Sequence, residues 1–467
     1  MNSHTEIEFP HFDDLKVAVN KKFPQVLEDL TDLVAIPSIA WEAFDLSQVE
    51  KSAQKVAELA RAAGFESVEI LKSSYGSQKE HVGMPAVVAQ KPAADGYPTI
   101  LLYAHHDVQP VGDESEWNTE PFVATQKGDR LFGRGAADDK AGVMTHMVAF
   151  STVKELLKDD FRAGVTLFIE GEEEAGSPSF ADFLHDYKEK LMSDVIIVAD
   201  SSNWRAGVPA LTTGLRGVAS GTIELKVGDH AVHSGMFGGP MLDSNTAMMH
   251  LLSSLHDNQG KVAVEGLVTA PQPEVDYSEE DFRADSGILD SVQLAGTGSI
   301  SSRLWAQPAI SIIGMDITSV AESSNTIAVK TTAKISVRLA PGQDPAKAHT
   351  AIEEHLAKNA PWGSQVSYQP DDSGQPFQAD VQESSVQLAL AAMHTAWDVE
   401  PVKTGMGGSI PFIADLKKEF PDAHILITGI EDPDTRAHSA NESLYLPDFE
   451  KAILSEALLL TKFCETA

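Results

Sequence analysis

Several apolar stretches of this sequence run directly into histidines and carboxylates. TILLYA is followed by His105 and Asp107, VTLFIE by the run that contains Glu173 and Glu174, and DVIIVA by Asp200. Imidazoles and carboxylates gathered in one place can bind a divalent cation or transfer protons. The pattern therefore predicts a site at which the ends of several buried strands meet.

Two further segments supply residues of the same kinds. His438 lies in RAHSANES, shortly after the apolar run AHILITGIE, and Asp138 lies in GRGAADDKAG, a glycine-rich turn before a predicted helix. Such nitrogen and oxygen ligands suit Zn²⁺, Mn²⁺ or Co²⁺, whereas histidine is unusual for Mg²⁺ or Ca²⁺. The one cysteine of the sequence, Cys464, cannot form a thiolate cluster or an intrachain disulfide.

The order of the first three polar residues assigns them different roles. Side chains alternate along an extended strand, so His105 and Asp107 share one face and His106 points to the other. We interpret His105 as a metal ligand, Asp107 as the group that fixes its tautomer, and His106 as a bystander. Carboxylates concentrated in one site repel one another and become partly protonated unless a cation neutralises them. The sequence therefore predicts a pair of metal ions.

The elements that must position these residues form an α/β pattern. The segments AVVAQ, TILLYA, VTLFIE and DVIIVAD are apolar on both faces, which is typical of parallel strands covered by helices. In open α/β sheets, ligands bind at the carboxyl ends of the strands. The candidate ligands follow the carboxyl ends of three of these strands.

Beyond Gly214 the pattern changes to alternating apolar and polar residues, as in GTIELKV and TAKISVRLAP. Such strands favour an antiparallel sheet with one open face. Fully apolar strand character returns at AHILITGIE. We therefore predict a catalytic α/β domain of residues 1–213 and 381–467 with a mostly parallel sheet, interrupted by an inserted α+β domain of residues 214–380.

Charge and hydropathy exclude two classes of partner. The 467 residues include 69 acidic and 35 basic ones, a formal net charge of -34 that would repel phosphate backbones and anionic membranes. No segment approaches the roughly 20 consecutive apolar residues of a membrane span, and the first residues lack a secretory signal pattern. We expect no nucleic-acid or membrane partner and a cytoplasmic location.

Seven motifs, in this order, carry a family resemblance: AHHDVQP, GRGAADDKAG, EGEEEAGS, VAD, HAVHSG, GGSIP and AHSANES. Together they resemble the M20 family of metallopeptidases, in particular its dipeptidase branch with carnosinases and cytosolic nonspecific dipeptidases. The resemblance implies a di-metal catalytic domain with an inserted ferredoxin-like lid and dimerisation domain. It also implies two divalent ions per subunit, with zinc favoured over manganese or cobalt, and a small peptide as substrate.

The resemblance also implies which residue holds which ion. Asp138 would bridge the two ions, and the peptide bond after it would be cis. One ion would be held by His105, Asp138 and Asp200, and the other by Asp138, Glu174 and His438.

Within the three consecutive glutamates, the family pattern identifies Glu173 as the general base and Glu172 as a structural neighbour. A hydroxide that bridges the ions would attack the amide carbonyl. Glu173 would take the proton and deliver it to the departing amine, a contribution typically worth about 10² to 10⁴ in rate.

The resemblance gives two residues of the predicted lid a role in catalysis or binding. His233 would donate a hydrogen bond to the oxyanion of the tetrahedral intermediate, across the interface of a homodimer. Arg338 would bind the terminal carboxylate of the substrate, for which a planar guanidinium is well shaped. The loop that lines the substrate pocket would contain Gly407, Gly408 and Ser409.

This loop departs from the family pattern. The nearest dipeptidases commonly have Arg-Glu before Gly-Gly-Ser, whereas this sequence has Gly405 and Met406. The missing glutamate is one that could pair with a substrate amino group. Either the enzyme does not recognise a free N-terminus, or another acid does so.

The function that these observations predict is metal-dependent hydrolysis of the amide bond of dipeptides or other short peptides. An N-acyl or N-carbamoyl amino acid amidohydrolase of the same fold is the alternative that Met406 favours. A non-catalytic peptide-binding protein is a second alternative. It is disfavoured because all the candidate ligands and the candidate base, Glu173, are present.

Overall fold

The chain forms two compact units in the computed structural model, which describes residues 7–408 and 411–465. The assignment of these units as the catalytic domain and the lid domain remains a prediction. The first unit extends to Thr213 and resumes with Ala379–Thr404 and from Asp415 onward, and the second comprises Gly214–Gln378 and Gly405–Ala414.

The elements are numbered in chain order over the described residues. The α-helices are α1 (Phe12–Val34), α2 (Ser47–Ala63), α3 (Lys140–Leu157), α4 (Phe180–Asp186), α5 (Lys188–Leu191), α6 (Ser234–Phe237), α7 (Ser244–Ser253), α8 (Glu279–Ser286), α9 (Pro345–Lys358), α10 (Ser384–Trp397), α11 (Pro411–Glu419) and α12 (Leu446–Phe463). The strands are β1 (Ser67–Leu71), β2 (Ser74–Tyr75), β3 (His81–Val82), β4 (Ala86–Lys91), β5 (Thr99–His105), β6 (Thr125–Lys127), β7 (Arg130–Phe132), β8 (Gly164–Glu170), β9 (Val195–Val198), β10 (Ala210–Leu215), β11 (Gly217–Lys226), β12 (Val232–His233), β13 (Ala309–Asp316), β14 (Thr326–Ile327), β15 (Lys330–Leu339), β16 (Gln365–Gly374), β17 (Phe377–Gln378), β18 (Val402–Met406), β19 (His424–Thr428) and β20 (Ser443–Tyr445).

The first unit contains the strands β1-β4-β8-β5-β9-β19-β10, hydrogen-bonded in this order, and β18 pairs with β10. The neighbouring strands β8, β5, β9 and β19 are parallel to one another. The pairs on either side, such as β4 with β8 and β10 with β19, are antiparallel. The predicted α/β class with a parallel sheet is confirmed, and the parallel part is the central part.

Helices cover this sheet through small and aliphatic side chains. Helix α2 buries Val49, Ala53, Val56 and Ala60 along one face, and it ends at Gly64, whose φ of 97° favours glycine. Helix α3 is buried along most of its length and packs against β5. Among the described residues, no helix combines the length and apolar character needed to cross a membrane.

The second unit contains a four-stranded antiparallel sheet in the order β13-β15-β11-β16. With α7 after β11 and α9 after β15, its main elements follow one another as βαββαβ, the ferredoxin-like arrangement that the family resemblance implied. Alternate residues such as Ile223 and Leu225 in β11 and Ile335 and Val337 in β15 are buried and share one apolar cluster with both helices.

Candidate metal centre

The four parallel strands bring the predicted ligands to one edge of the sheet. His105 is the last residue of β5, and Asp200 lies two residues beyond β9. Glu173 and Glu174 lie in the turn after β8, and His438 lies between β19 and β20. Because the carboxyl ends of parallel strands meet at the same edge, residues far apart in the chain come together.

Asp138, in the turn before α3, lies between two histidines. Its Oδ1 is 3.2 Å from Nε2 of His105, and its Oδ2 is 3.0 Å from Nε2 of His438. The two carboxylate oxygens therefore face different imidazoles, which is the arrangement that a carboxylate shared by two ions needs. The peptide bond between Asp138 and Asp139 is cis, as the resemblance implied.

Three more carboxylates surround these groups. Nε2 of His105 is 4.0 Å from an oxygen of Glu173 and 4.0 Å from an oxygen of Asp200. Nε2 of His438 is 3.3 Å from Oε2 of Glu174. Two groups of three residues have candidate ligand atoms within 4.8 Å of one another: one is His105, Asp138 and Glu174, and the other is His105, Glu173 and Asp200. These groups differ from the predicted sets, which place Asp200 with His105 and Asp138, and Glu174 with His438 and Asp138. The structure thus brings the predicted ligands and the predicted base together.

Asp107 holds the turn that carries the two glutamates. Its carboxylate accepts hydrogen bonds from the backbone N–H groups of Glu173, at 3.1 Å, and Glu174, at 3.0 Å. Nδ1 of His105 lies 3.2 Å from the carbonyl oxygen of Asp107 and 3.5 Å from its Oδ1. Control of the His105 tautomer by Asp107 remains a prediction. The hydrogen bonds of Asp107 to the backbone of the turn were not predicted from the sequence.

Two neighbours of the ligands face structural partners. The Glu172 carboxylate accepts the N–H groups of Met84, at 2.8 Å, and Ser179, at 2.9 Å. Nε2 of His106 lies 2.9 Å from the carbonyl oxygen of Pro85, and burial lowers the pKa of His106 to about 4. These contacts agree with the interpretation of Glu172 as structural and of His106 as a bystander.

The carboxylates oppose one another's ionisation. Burial raises the pKa of Glu173 to about 9, and the charge of Asp200 adds to the shift. Burial also raises the pKa of Asp200 to about 7, against the lowering effect of His105. At these values Glu173 would carry a proton at pH 7 and could not accept another. A cation among these groups would favour the charged carboxylates and restore a base.

A buried ion pair that the sequence did not reveal links two segments of the centre. Nη1 of Arg134 donates to Oε2 of Glu442 at 2.6 Å, and each side chain is at most 1% exposed. Nη2 of Arg134 donates to the carbonyl oxygen of Ser439 at 3.1 Å, directly after the candidate ligand His438. Removal of one partner from such a pair leaves a buried charge without compensation.

Glu442 also holds the turn that leads to Asp138. Its carboxylate accepts the backbone N–H groups of Gly135 at 3.0 Å, Ala137 at 3.1 Å and Asp138 at 3.2 Å. The same side chain therefore fixes the backbone of the shared ligand and, through Arg134, the backbone beside the second histidine.

The second unit contains His233 and Arg338, for which roles in catalysis and substrate binding were predicted. His233 ends the short strand β12, and its Nδ1 accepts the N–H of Gly235 at 3.1 Å. Arg338 lies in β15, where it is paired with Val218 on one side and Ala309 on the other.

The predicted pocket loop is bound by an arginine that the sequence analysis did not single out. Nε of Arg216 donates to the carbonyl oxygen of Gly407 at 3.0 Å, and Gly408 follows. Burial lowers the pKa of Arg216 to about 10, and the nearby charge of Arg338 contributes. Ser409, the third predicted loop residue, lies outside the described residues.

Residues 101–462 match the model of peptidase family M20/M25/M40. The chain belongs to this family. The matched segment includes every candidate ligand and the candidate base. The family membership that the motifs predicted is confirmed.

The chain is similar to several dipeptidases. It is 34% identical over 379 residues to a cysteinylglycine-S-conjugate dipeptidase of Corynebacterium striatum, which covers 80% of this chain and 83% of that protein. It is 28% identical over 378 residues to a Beta-Ala-His dipeptidase of Rattus norvegicus, covering 77% and 76%. The solved structure of the dipeptidase Dug1p of Saccharomyces cerevisiae has a TM-score of 0.72 at 24% identity, with 99% of each chain covered. This last likeness confirms the fold.

The donor set fits divalent cations. The groups that meet here are two imidazoles and several carboxylates, and burial with mutual repulsion raises the pKa of Glu173, Glu174 and Asp200. Borderline cations such as Zn²⁺ accept these ligands, and their charge removes the repulsion.

Glu442→Gln tests whether the buried pair positions the centre. Loss of a group that orients metal ligands typically lowers metal affinity about 10- to 100-fold, and we expect a decrease of that size. The measurement is competition for Zn²⁺ against a chromophoric chelator. Glu155→Gln, an exchange of an exposed acid, serves as the control and should leave the affinity unchanged. An affinity of Glu442→Gln equal to that of the wild type contradicts the positioning role.

Proposed function

We propose that this protein is a metal-dependent dipeptidase that hydrolyses the amide bond of dipeptides or other short peptides. The observation that carries the proposal is the placement of the two oxygens of Asp138 against two different imidazoles, in a chain of the M20/M25/M40 family. The names of the similar proteins support a dipeptide as substrate. The first unit would be the catalytic domain and the second unit the lid domain.

The proposed ligands are His105, Asp138 and Asp200 for one ion and Asp138, Glu174 and His438 for the other, with zinc favoured over manganese or cobalt. Bound divalent ions would supply positive charge that polarises the scissile carbonyl and lowers the pKa of water.

Glu173 would act as the general base and then the general acid. Its carboxylate lies beside the ligand cluster, 4.0 Å from Nε2 of His105, and the backbone of its turn is held by Asp107. Glu173 would take a proton from the attacking water and pass it to the amine that leaves. A fixed position for the carboxylate keeps it within reach of both protons, and transfer of this kind contributes about 10² to 10⁴ in rate.

His233 would stabilise the oxyanion that forms on the carbonyl. Because its Nδ1 accepts the N–H of Gly235, this nitrogen carries no proton and the neutral ring carries its proton on Nε2. Nε2 is then a donor that can point to an oxyanion. We place this donor in the site of a second subunit, which makes a homodimer part of the proposal.

An edge strand of the second unit supports this homodimer. Strand β13 lies at the edge of the four-stranded sheet, and Ile312 and Ile313 in it are 53% and 56% exposed. Ile317 and Val320, just beyond the strand, are also exposed. An open edge with apolar side chains is suited to pairing with another strand, and a second copy of β13 would cover it. A cytoplasmic location stays a prediction.

Two substitutions separate the base from a ligand. Glu173→Gln should lower kcat by about 10² to 10⁴ because proton transfer is lost, while the metal content stays that of the wild type. His438→Ala should lower the metal content as well as the activity, because it removes a ligand. Elemental analysis beside a dipeptide hydrolysis assay makes the comparison. Near-normal turnover by Glu173→Gln, or full metal content in His438→Ala, contradicts the assigned roles.

Arg338→Ala tests recognition of the substrate carboxylate. We expect KM for a dipeptide to rise roughly 10- to 100-fold, because a charge-assisted hydrogen bond is lost. The corresponding dipeptide amide has no terminal carboxylate and is the control substrate, on which wild type and variant should perform alike. An equal loss on both substrates shows that Arg338 does not bind the carboxylate.

Ile312→Glu combined with Ile313→Glu tests the dimer. Charges on the open edge should prevent association, and sedimentation velocity should report a monomer with greatly reduced activity. Val17→Glu adds a charge at an exposed valine of α1 and should remain dimeric and active. A wild-type protein that is monomeric and active, or a fully active double variant that is monomeric, rules out a role for His233 across the interface.

A further inference from the structure

Glu431 lies beside the metal centre, in a position that differs from those of the candidate metal ligands. Beyond the ends of β9 and β19 the two chains continue side by side, with Ser202 paired to Glu431 in the same parallel register as Val198 to Ile427. Ser202 lies two residues after the candidate ligand Asp200, and its pairing with Glu431 lies beyond the strand ends that deliver the ligands. Glu431 therefore lies one step further out along the ligand edge of the sheet.

The Glu431 carboxylate has few partners. Oγ of Ser202 donates to its Oε2 at 3.0 Å, and over residues 7–408 and 411–465 no Lys, Arg or His nitrogen lies within ion-pairing distance of it. Burial, followed by the charges of Asp138 and Asp200, raises the pKa of Glu431 well above its usual range.

Two other buried acids of the centre, Glu172 and Glu442, have structural partners for both oxygens. Glu172 binds the backbone N–H groups of Met84 and Ser179, one with each oxygen. Glu442 binds Arg134 and three backbone N–H groups. Within the described part of the chain, no backbone N–H donates a hydrogen bond to the carboxylate of Glu431, whose one side-chain hydrogen bond is that from Ser202.

The covalent geometry of a dipeptide places a cation near this position. The α-ammonium nitrogen and the scissile carbonyl carbon are separated by one Cα, which puts them about 2.5 Å apart. An acid that binds this ammonium must therefore lie beside the groups that act on the carbonyl. Glu431 satisfies this condition through its position at the ligand edge of the sheet, paired to Ser202 just beyond Asp200.

We propose that Glu431 binds the free α-ammonium group of the substrate, with Ser202 holding its carboxylate in place. The enzyme would thus select peptides with an unblocked N-terminus and disfavour N-acylated ones. This inference rests on the proposed dipeptidase function and specifies its substrate class.

The experiment compares alanylglycine with N-acetyl-alanylglycine, using the full-length protein loaded with Zn²⁺. Wild-type enzyme should prefer the free peptide, and Glu431→Gln should lower kcat/KM for it roughly 10- to 100-fold, mainly through KM. Activity on the acetylated peptide and zinc content should stay within twofold of wild type. Glu431→Asp, which keeps the charge, should retain part of the preference. The control Asp434→Asn neutralises an exposed acid of the same loop and should behave as wild type.

The outcomes separate this inference from the function on which it rests. Equal losses on both peptides, loss of zinc, or unchanged kinetics in a folded Glu431→Gln protein overturn the role of Glu431 and leave the dipeptidase function standing. If Glu431→Gln has a lowered melting temperature, the test uses Glu431→Asp instead. A folded Glu431→Asp protein that has lost all preference for the free peptide over the acetylated one contradicts the role of Glu431. Wild-type preference for the acetylated peptide overturns the inference and favours an N-acyl amidohydrolase. Cleavage of neither peptide overturns the proposed function itself.

Discussion

The mutual repulsion of buried carboxylates is the constraint on which the rest of this site depends. Four of them, Asp138, Glu173, Glu174 and Asp200, meet at the end of a parallel sheet together with the imidazoles of His105 and His438. Removal of a carboxylate from water is costly unless it is paired, so a site of this kind is stable only when cations enter it or protons do. Divalent cations resolve the repulsion and leave the base unprotonated.

The surrounding structure holds these groups without bringing in competing charges. Glu442 and Asp107 bind backbone N–H groups of the segments that carry the ligands, so the ligand side chains themselves remain available. Arg134 neutralises Glu442 in a buried pair that lies outside the ligand cluster. Glu442 thus supports the centre through backbone amides, whereas Asp138 and Glu174 face the histidines directly.

Much of the fold and the ligand set could be predicted from the sequence because both depend on local patterns. Apolar runs such as TILLYA and VTLFIE specify buried parallel strands, and a ligand placed just after such a run is delivered to the sheet edge by the strand itself. The alternating strands of the second unit specified its antiparallel sheet for the same reason. The sharing of Asp138 came from the family resemblance and not from its spacing.

Other features depend on contacts between distant segments, which have no local signal. Arg134 and Glu442 meet only after folding, and neither residue stands in a pattern that predicts the other. The hydrogen bonds of Asp107 to backbone amides leave no trace in the residue types of the turn that it holds. The grouping of Gly405–Ala414 with the second unit also depends on a contact between distant segments, the hydrogen bond from Arg216 to Gly407.

The most direct test of the central claim is anomalous diffraction at the zinc absorption edge from crystals of the zinc-loaded protein. Two anomalous peaks should appear, with one oxygen of Asp138 bound to each ion and His105 and His438 bound to different ions. A single peak, peaks away from these residues, or both oxygens of Asp138 on one ion would contradict the account.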